Sequence, residues 1–186
     1  MRQTVLKYGF IAGGILSALL TVTVAVPTML GIEPSLPLGM VIGYTTMLVS
    51  FLFIHFGIRS YRDTVLDGSV RFWQAARVGL LIALIGAICY AATWQVVYRT
   101  FLPDFAEKYG QAAVIAAEKR GASAAEIEKT RSEMAEFAVM YRNPLYNFGI
   151  TLLEPAPVGI LVALISARIL SRRRREPLST LGTALS

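Results

Sequence analysis

Glu154 is the side chain in this sequence with the most chemistry to offer. It is the only acidic residue inside a long apolar stretch, where a carboxylate costs several kcal/mol unless it is neutral, paired or hydrogen-bonded. Its context is Leu153-Glu154-Pro155-Ala156-Pro157. The two prolines donate no amide hydrogen bonds, which frees the carbonyls of Thr151 and Leu153 about one turn earlier. A kink is predicted there, with carbonyl oxygens beside the carboxyl.

Hydroxyl groups are expected at the same depth. Glu154 lies about nine residues from the outer end of its apolar run, or about 13 Å at the helical rise. Equal counting along the other runs reaches Thr21, then Tyr44, Thr45 and Thr46, then Tyr90 and Thr93. Glu154, Tyr44, Thr45, Tyr90, Thr93 and Thr21 therefore make a candidate polar pocket, wetted from the outer side. Threonine is also well tolerated inside spans, so the same residues fit a structural network that joins helices. Arg99 is the nearest base on the third run, at a depth from which it can snorkel outward.

The remaining reactive types form no constellation. His55 has no Cys, Asp or Glu clustered with it, so no metal site is expected and an interhelical hydrogen bond is its predicted role. Cys89 is the single cysteine and is expected to pack as a small hydrophobe. No P-loop, dinucleotide fingerprint, zinc motif or nucleophile elbow occurs. The reading is of a protein that is not an enzyme, with no catalytic, cofactor-binding or metal-binding residues and no cofactor.

These side chains are carried by four apolar runs, 8–30, 37–58, 77–102 and 145–170. Each is long enough for a hydrocarbon layer that takes about 20 helical residues. Uninterrupted runs of this length satisfy their backbone as helices and not as barrel strands. The predicted fold class is an all-α membrane protein with four transmembrane helices, consistent with 55% hydrophobic residues and a mean hydropathy of +0.56.

Basic residues orient the spans. Arg2 and Lys7 precede the first, Arg59, Arg62, Arg71 and Arg77 surround the second connection, and Arg168 with Arg172 to Arg175 follow the fourth; the first connection holds Glu33 and no base. Both termini and the second connection are expected in the cytoplasm. The net charge of +6 is then a matter of topology, with the basic face beside anionic lipid. Nucleic acid is not an expected partner, because the basic residues lack interleaved aromatic platforms. Asp67-Gly68 reads as a turn, Phe72 and Trp73 as interfacial anchors, and Trp94, Tyr98 and Phe101 as the matching belt at the outer end.

Residues 103–143 form the one sizeable polar segment. A first helix should run from Pro103 to about Arg120 with Phe105, Tyr109, Ala112 and Ala116 as its apolar stripe, and Gly121 should end it. Ser123 with Glu126 is a capping box for a second helix with the stripe Ile127, Met134, Phe137 and Tyr141, broken at Asn143 and Pro144. The result is an extracytoplasmic helical hairpin, which either spaces two spans or docks a protein partner. Pairs of small residues four apart, at Gly9/Gly13, Gly39/Gly43, Gly79/Ala83 and Gly159/Ala163, are expected to bring helices close, within the bundle or in a homo-oligomer.

Gly57-Ile58-Arg59-Ser60-Tyr61-Arg62-Asp63 within 44–63, Phe72-Trp73-Gln74-Ala75, and Glu154-Pro155-Ala156-Pro157-Val158-Gly159 together resemble the bacterial membrane family catalogued as domain of unknown function 4199. The resemblance covers nearly all of the chain to about Arg172. It implies a multi-pass protein of the bacterial inner membrane and carries over no catalytic residue. The expected organisation is a membrane domain over 1–172 and a disordered cytoplasmic tail over 173–186. The predicted function is structural or partner-binding within the membrane; the alternative is a small transporter or permease-like protein using Glu154 on the kinked fourth helix.

Overall fold

The computed structural model describes residues 1–31 and 36–171. Glu33, Arg172 to Arg175 and the 173–186 tail lie outside the described residues. The described residues form seven helices and no strand: α1 (Arg2–Met29), α2 (Leu36–Val65), α3 (Phe72–Phe101), α4 (Phe105–Lys119), α5 (Ala124–Tyr141), α6 (Pro144–Leu153) and α7 (Ala156–Leu170). Four stretches are long and apolar enough to cross a membrane: Arg2–Met29, Val41–Val65, Phe72–Phe101 and Pro144–Leu170. The last of these joins α6 and α7 across a break.

Helices α2 and α3 both reach further than the apolar runs that define them. Hydropathy marks the lipid crossing, whereas a helix ends where its backbone finds another hydrogen-bonding solution. Here that solution is the predicted Asp67-Gly68 turn, with both residues at positive φ (49° and 88°) and Gly68 N–H donating to the Arg62 carbonyl.

Small residues set the register of the bundle. A Cβ at Gly9 would meet Ile85 at 2.8 Å and one at Gly13 would meet Cys89 at 2.7 Å, so α1 and α3 run side by side in the same direction. One turn further along each, Thr93 donates to the Ser17 hydroxyl at 2.8 Å. Helices α3 and α7 run oppositely, with Gly79 against Ala163 and Gly159 against Ala83. The Phe51 ring, fully buried, lies against both Gly86 and Gly159. Leu16, Met47, Ile54, Ile58, Val78 and Ile82 fill the rest of the centre. Gly39 and Gly43 have no neighbour where a Cβ would stand; that pair does not pack the bundle.

Helices α4 and α5 lie antiparallel outside the spans. Gly121 takes φ +74° after α4, the left-handed conformation in which glycine ends a helix without a Cβ penalty. The capping box forms: Glu126 N–H donates to Ser123 Oγ at 3.3 Å, and Ser123 N–H donates to Glu126 Oε2 at 2.9 Å. The α5 stripe is as expected. The α4 stripe is rotated by one residue, because Ala106, Gly110 and Ala117 are the buried positions and a Cβ at Gly110 would stand 3.1 Å from Met134. Close backbone approach takes the small residues inward, while Phe105 and Tyr109 turn toward Tyr141 and Phe137.

Candidate functional site at the break in the fourth span

The break follows from the two prolines. Helix α6 ends at Leu153 and α7 starts at Ala156. With no Pro155 N–H to take the Thr151 carbonyl, Glu154 N–H turns back to it at 3.3 Å, tightening the last turn. The corner carries Glu154 to the surface of the bundle, where the residue as a whole is exposed although neighbours crowd its carboxyl. Tyr90, on α3 and 7% exposed, donates its hydroxyl proton to Glu154 Oε2 at 3.0 Å.

Only part of the expected pocket is assembled. Tyr90 and Glu154 meet. Thr93 instead bonds Ser17 toward α1, and Ser17 also donates to the Cys89 carbonyl at 3.4 Å. Thr21 donates to the Ser17 carbonyl of its own helix at 2.8 Å and Thr45 to the Val41 carbonyl at 2.7 Å; both are exposed. Thr23, Thr28 and Thr46 also bond back to their own helices. A hydroxyl satisfied this way needs no partner across the bundle. Tyr44 is 53% exposed and is a neighbour of Tyr90 without joining the Glu154 bond. A closed polar layer shared by all spans is therefore not formed. Counting from span ends placed α1 one turn wrong, since the Gly9/Gly13 contact sets Ser17 and not Thr21 opposite Thr93.

The His55 side chain makes no hydrogen bond among the described residues, so the expected interhelical bond is absent; its ring stands edge-on to Phe56 at 6.0 Å. Cys89 packs against Gly13. No group of His, Cys, Asp and Glu capable of holding a metal occurs among the described residues.

The polar groups that sequence reasoning missed lie between α3, α5 and α6. Trp94, assigned above to an outer belt, is 8% exposed and donates from Nε1 to the Tyr141 hydroxyl at 2.7 Å. Tyr98 is equally buried, its ring 5.3 Å from Tyr141 and nearly perpendicular to it. Phe105 and Phe137 complete the cluster, at 5.9 Å and 5.1 Å from Tyr141. Thr151 lies beside the Tyr141 hydroxyl, and burial raises the Tyr141 phenol above its ordinary pKa. Further out, Gln95 Nε2 donates to Asn147 Oδ1 at 2.6 Å, and Arg142 donates to Glu107 at 2.6 Å, holding that carboxyl below the usual carboxylate range. One signal was available: Tyr90, Trp94 and Tyr98 recur at i, i+4 and i+8, which is a single helix face and not an encircling belt.

Away from the spans, α4 and α5 flank an open groove of about 450 Å³ lined mainly by Ala106, Gly110, Val114, Ile115, Met134 and Ala138. Glu107 and Arg131 also line it. A family model described as Protein of unknown function (DUF4199) matches residues 7–172. No curated protein and no solved structure matches the chain.

Proposed function

The chain belongs to the DUF4199 family of proteins of unknown function, and from that premise we propose that it is a non-enzymatic, multi-pass protein of the bacterial inner membrane that presents α4 and α5 to a protein partner outside the cytoplasm. The observation that carries this reading is the buried Trp94–Tyr141 hydrogen bond with its surrounding rings. A segment that only spaces two spans has no need of rigid attachment. This one is held to α3 by an aromatic cluster that leaves the groove between α4 and α5 open. The Lys and Arg distribution supports the orientation, with Arg59, Arg62 and Arg71 at one end of the spans and α4 and α5 at the other.

A reporter fused at Gly121 should be active outside the cytoplasm, and a photo-crosslinker at Val114 should capture a discrete protein species while one at Thr64 should not. A cytoplasmic signal at Gly121 sinks the orientation. Equal crosslinking from both positions, or from neither, sinks the docking surface.

The Tyr90–Glu154 bond at the helix break favours a second reading, a small proton-coupled carrier. Glu154→Gln keeps shape and hydrogen bonding but removes titration, so a carrier should lose proton-linked uptake at normal expression. Unchanged uptake in the variant leaves Glu154 a structural carboxyl.

A further inference from the structure

Along the seam between α3 and α6, polar side chains stand in file. Asn147 and Thr151 on α6 and Glu154 at its C-cap recur at i, i+4 and i+7, one face of a helix. Facing them, α3 brings Gln95 to Asn147 and Tyr90 to Glu154, and between these rungs the Tyr141 hydroxyl held by Trp94 lies beside Thr151. Asn147 is 1% exposed, and its Nδ2 is buried with no hydrogen-bond partner. A buried amide with two protons to donate and nothing to receive them is costly, and the common remedy is a bound water.

We propose that water occupies this seam, entering from the α4–α5 end beside Asn147, and joins the hydroxyls of Thr151, Tyr141 and Tyr90 into a proton relay that ends on Glu154. Successive rungs on α6 are about 5–6 Å apart, the span that one water bridges with two hydrogen bonds. The relay balances in protons. Each hydroxyl oxygen accepts a proton from the water before it and releases its own to the next acceptor, and the last transfer, from the Tyr90 hydroxyl, protonates Glu154 Oε2. One proton leaves the water at the entrance, one arrives on the carboxyl, and every hydroxyl is left as it began. Gln95, Asn147 and Trp94 conduct nothing; they orient the water and the Tyr141 oxygen.

The titratable groups around Glu154 are Tyr90 from α3 and Tyr141 from α5, with Tyr44 of α2 beyond Tyr90. None of them is a cation that would hold the carboxylate ionised. The inference needs neither a transported substrate nor a docked partner, and wild-type exchange rates in the seam variants would leave both readings above as they stand.

The test is hydrogen–deuterium exchange of the Glu154 carboxyl in the full chain in lipid nanodiscs, followed by infrared spectroscopy. The carbonyl stretch of the protonated acid is identified by its disappearance in Glu154→Gln. After a jump into D2O the wild-type band should shift within the mixing time. Thr151→Val and Tyr90→Phe should each slow the shift by at least about tenfold, as expected when one missing hydroxyl adds a barrier to every transfer. Ser50→Ala, which removes a buried hydroxyl from α2, should leave the rate unchanged. Helical content and elution volume check folding, and if Thr151→Val fails there, Tyr90→Phe decides. Wild-type rates in the folded seam variants, equal slowing in Ser50→Ala, or no Glu154-dependent band at any pH where the bundle stays folded would each overturn the relay.

Discussion

Tyr141→Ala should detach α4 and α5 from the membrane bundle while the four spans stay folded. The side chain is 5% exposed and takes part in three ring contacts, with Tyr98, Phe105 and Phe137. Removing a buried aromatic ring costs about 3–5 kcal/mol, and the same change leaves the Trp94 Nε1–H without its acceptor. Few other groups tie α5 to the spans: the exposed Arg142–Glu107 pair lies between α4 and the end of α5, and it adds little in water. The loss should therefore fall on local and not global stability. Amide exchange measured across Ala124–Tyr141 should rise sharply, with α1, α3 and α7 still protected. Tyr141→Phe keeps the rings in place but strands the indole N–H, so its effect should be smaller, about 1–3 kcal/mol. If protection in α5 is unchanged in Tyr141→Ala, the cluster is not the attachment. If α3 and α7 lose protection together with α5, the pair and the bundle are one cooperative unit and the attachment is not local.

The parts of this structure that were legible in sequence are those fixed by composition or by local backbone chemistry. Span number follows from the length of apolar runs, since lipid offers no partner for an unpaired amide. The Asp67-Gly68 turn, the Ser123/Glu126 box, the Gly121 terminus and the break at Pro155 are each decided within about one helical turn, and each is found where the residues put it. What could not be read is the direction in which each span faces. A soluble helix shows its buried side by contrast with polar residues, but in a span both faces are apolar and the phase has to come from packing. Trp94 and Tyr98 have the depth of an interfacial belt, yet they point inward under α5. Tyr44 and Thr45, expected to line a shared pocket, are exposed.

The same blindness explains the candidate site. Depth counting selected Glu154 and Tyr90, and these do pair. It also selected Thr21 and Thr45, whose hydroxyls are used up by their own helices, and it passed over Ser17, Trp94, Asn147 and Tyr141. Ser17 is set against Thr93 by the glycine contact of α1 with α3, and Trp94, Asn147 and Tyr141 are placed by the docking of α5 and α6 on α3, both nonlocal facts. Two partly opposed demands then meet at α6. The prolines give up a helical hydrogen bond at Glu154, while Asn143 restores order at the other end by accepting from the amides of Leu145 and Tyr146 at 2.9 and 3.4 Å. The ten-residue helix between them is short enough to be placed by α3 and α5 instead of by the rest of its own span.

Gly79→Ala should be among the most damaging single-methyl changes in the bundle. An added Cβ would stand 2.9 Å from Ala163 Cβ and 3.2 Å from its Cα, as well as 2.9 Å from Ile58 Cδ1. The Ile58 methyl is the far end of a flexible side chain and can swing aside. Ala163 is 0% exposed, and its Cβ and Cα move only with the backbone of α7, so relief requires α3 and α7 to separate. Overpacking of this kind costs about 1–3 kcal/mol, and lipid supplies no compensating hydrophobic gain because tails and side chains are equally apolar. Reversible unfolding in detergent should register the loss. Adding Ala163→Gly in the same chain should recover much of it, since the double variant moves the methyl from one helix to the other. By contrast Gly43→Ala, at a position with open space around it, should stay within about 0.5 kcal/mol of the parent. A Gly79→Ala protein as stable as the parent would mean that the helices can part without loss and that small-residue packing does not hold the third and fourth spans together. A double variant no better than the single would place the clash elsewhere than on Ala163.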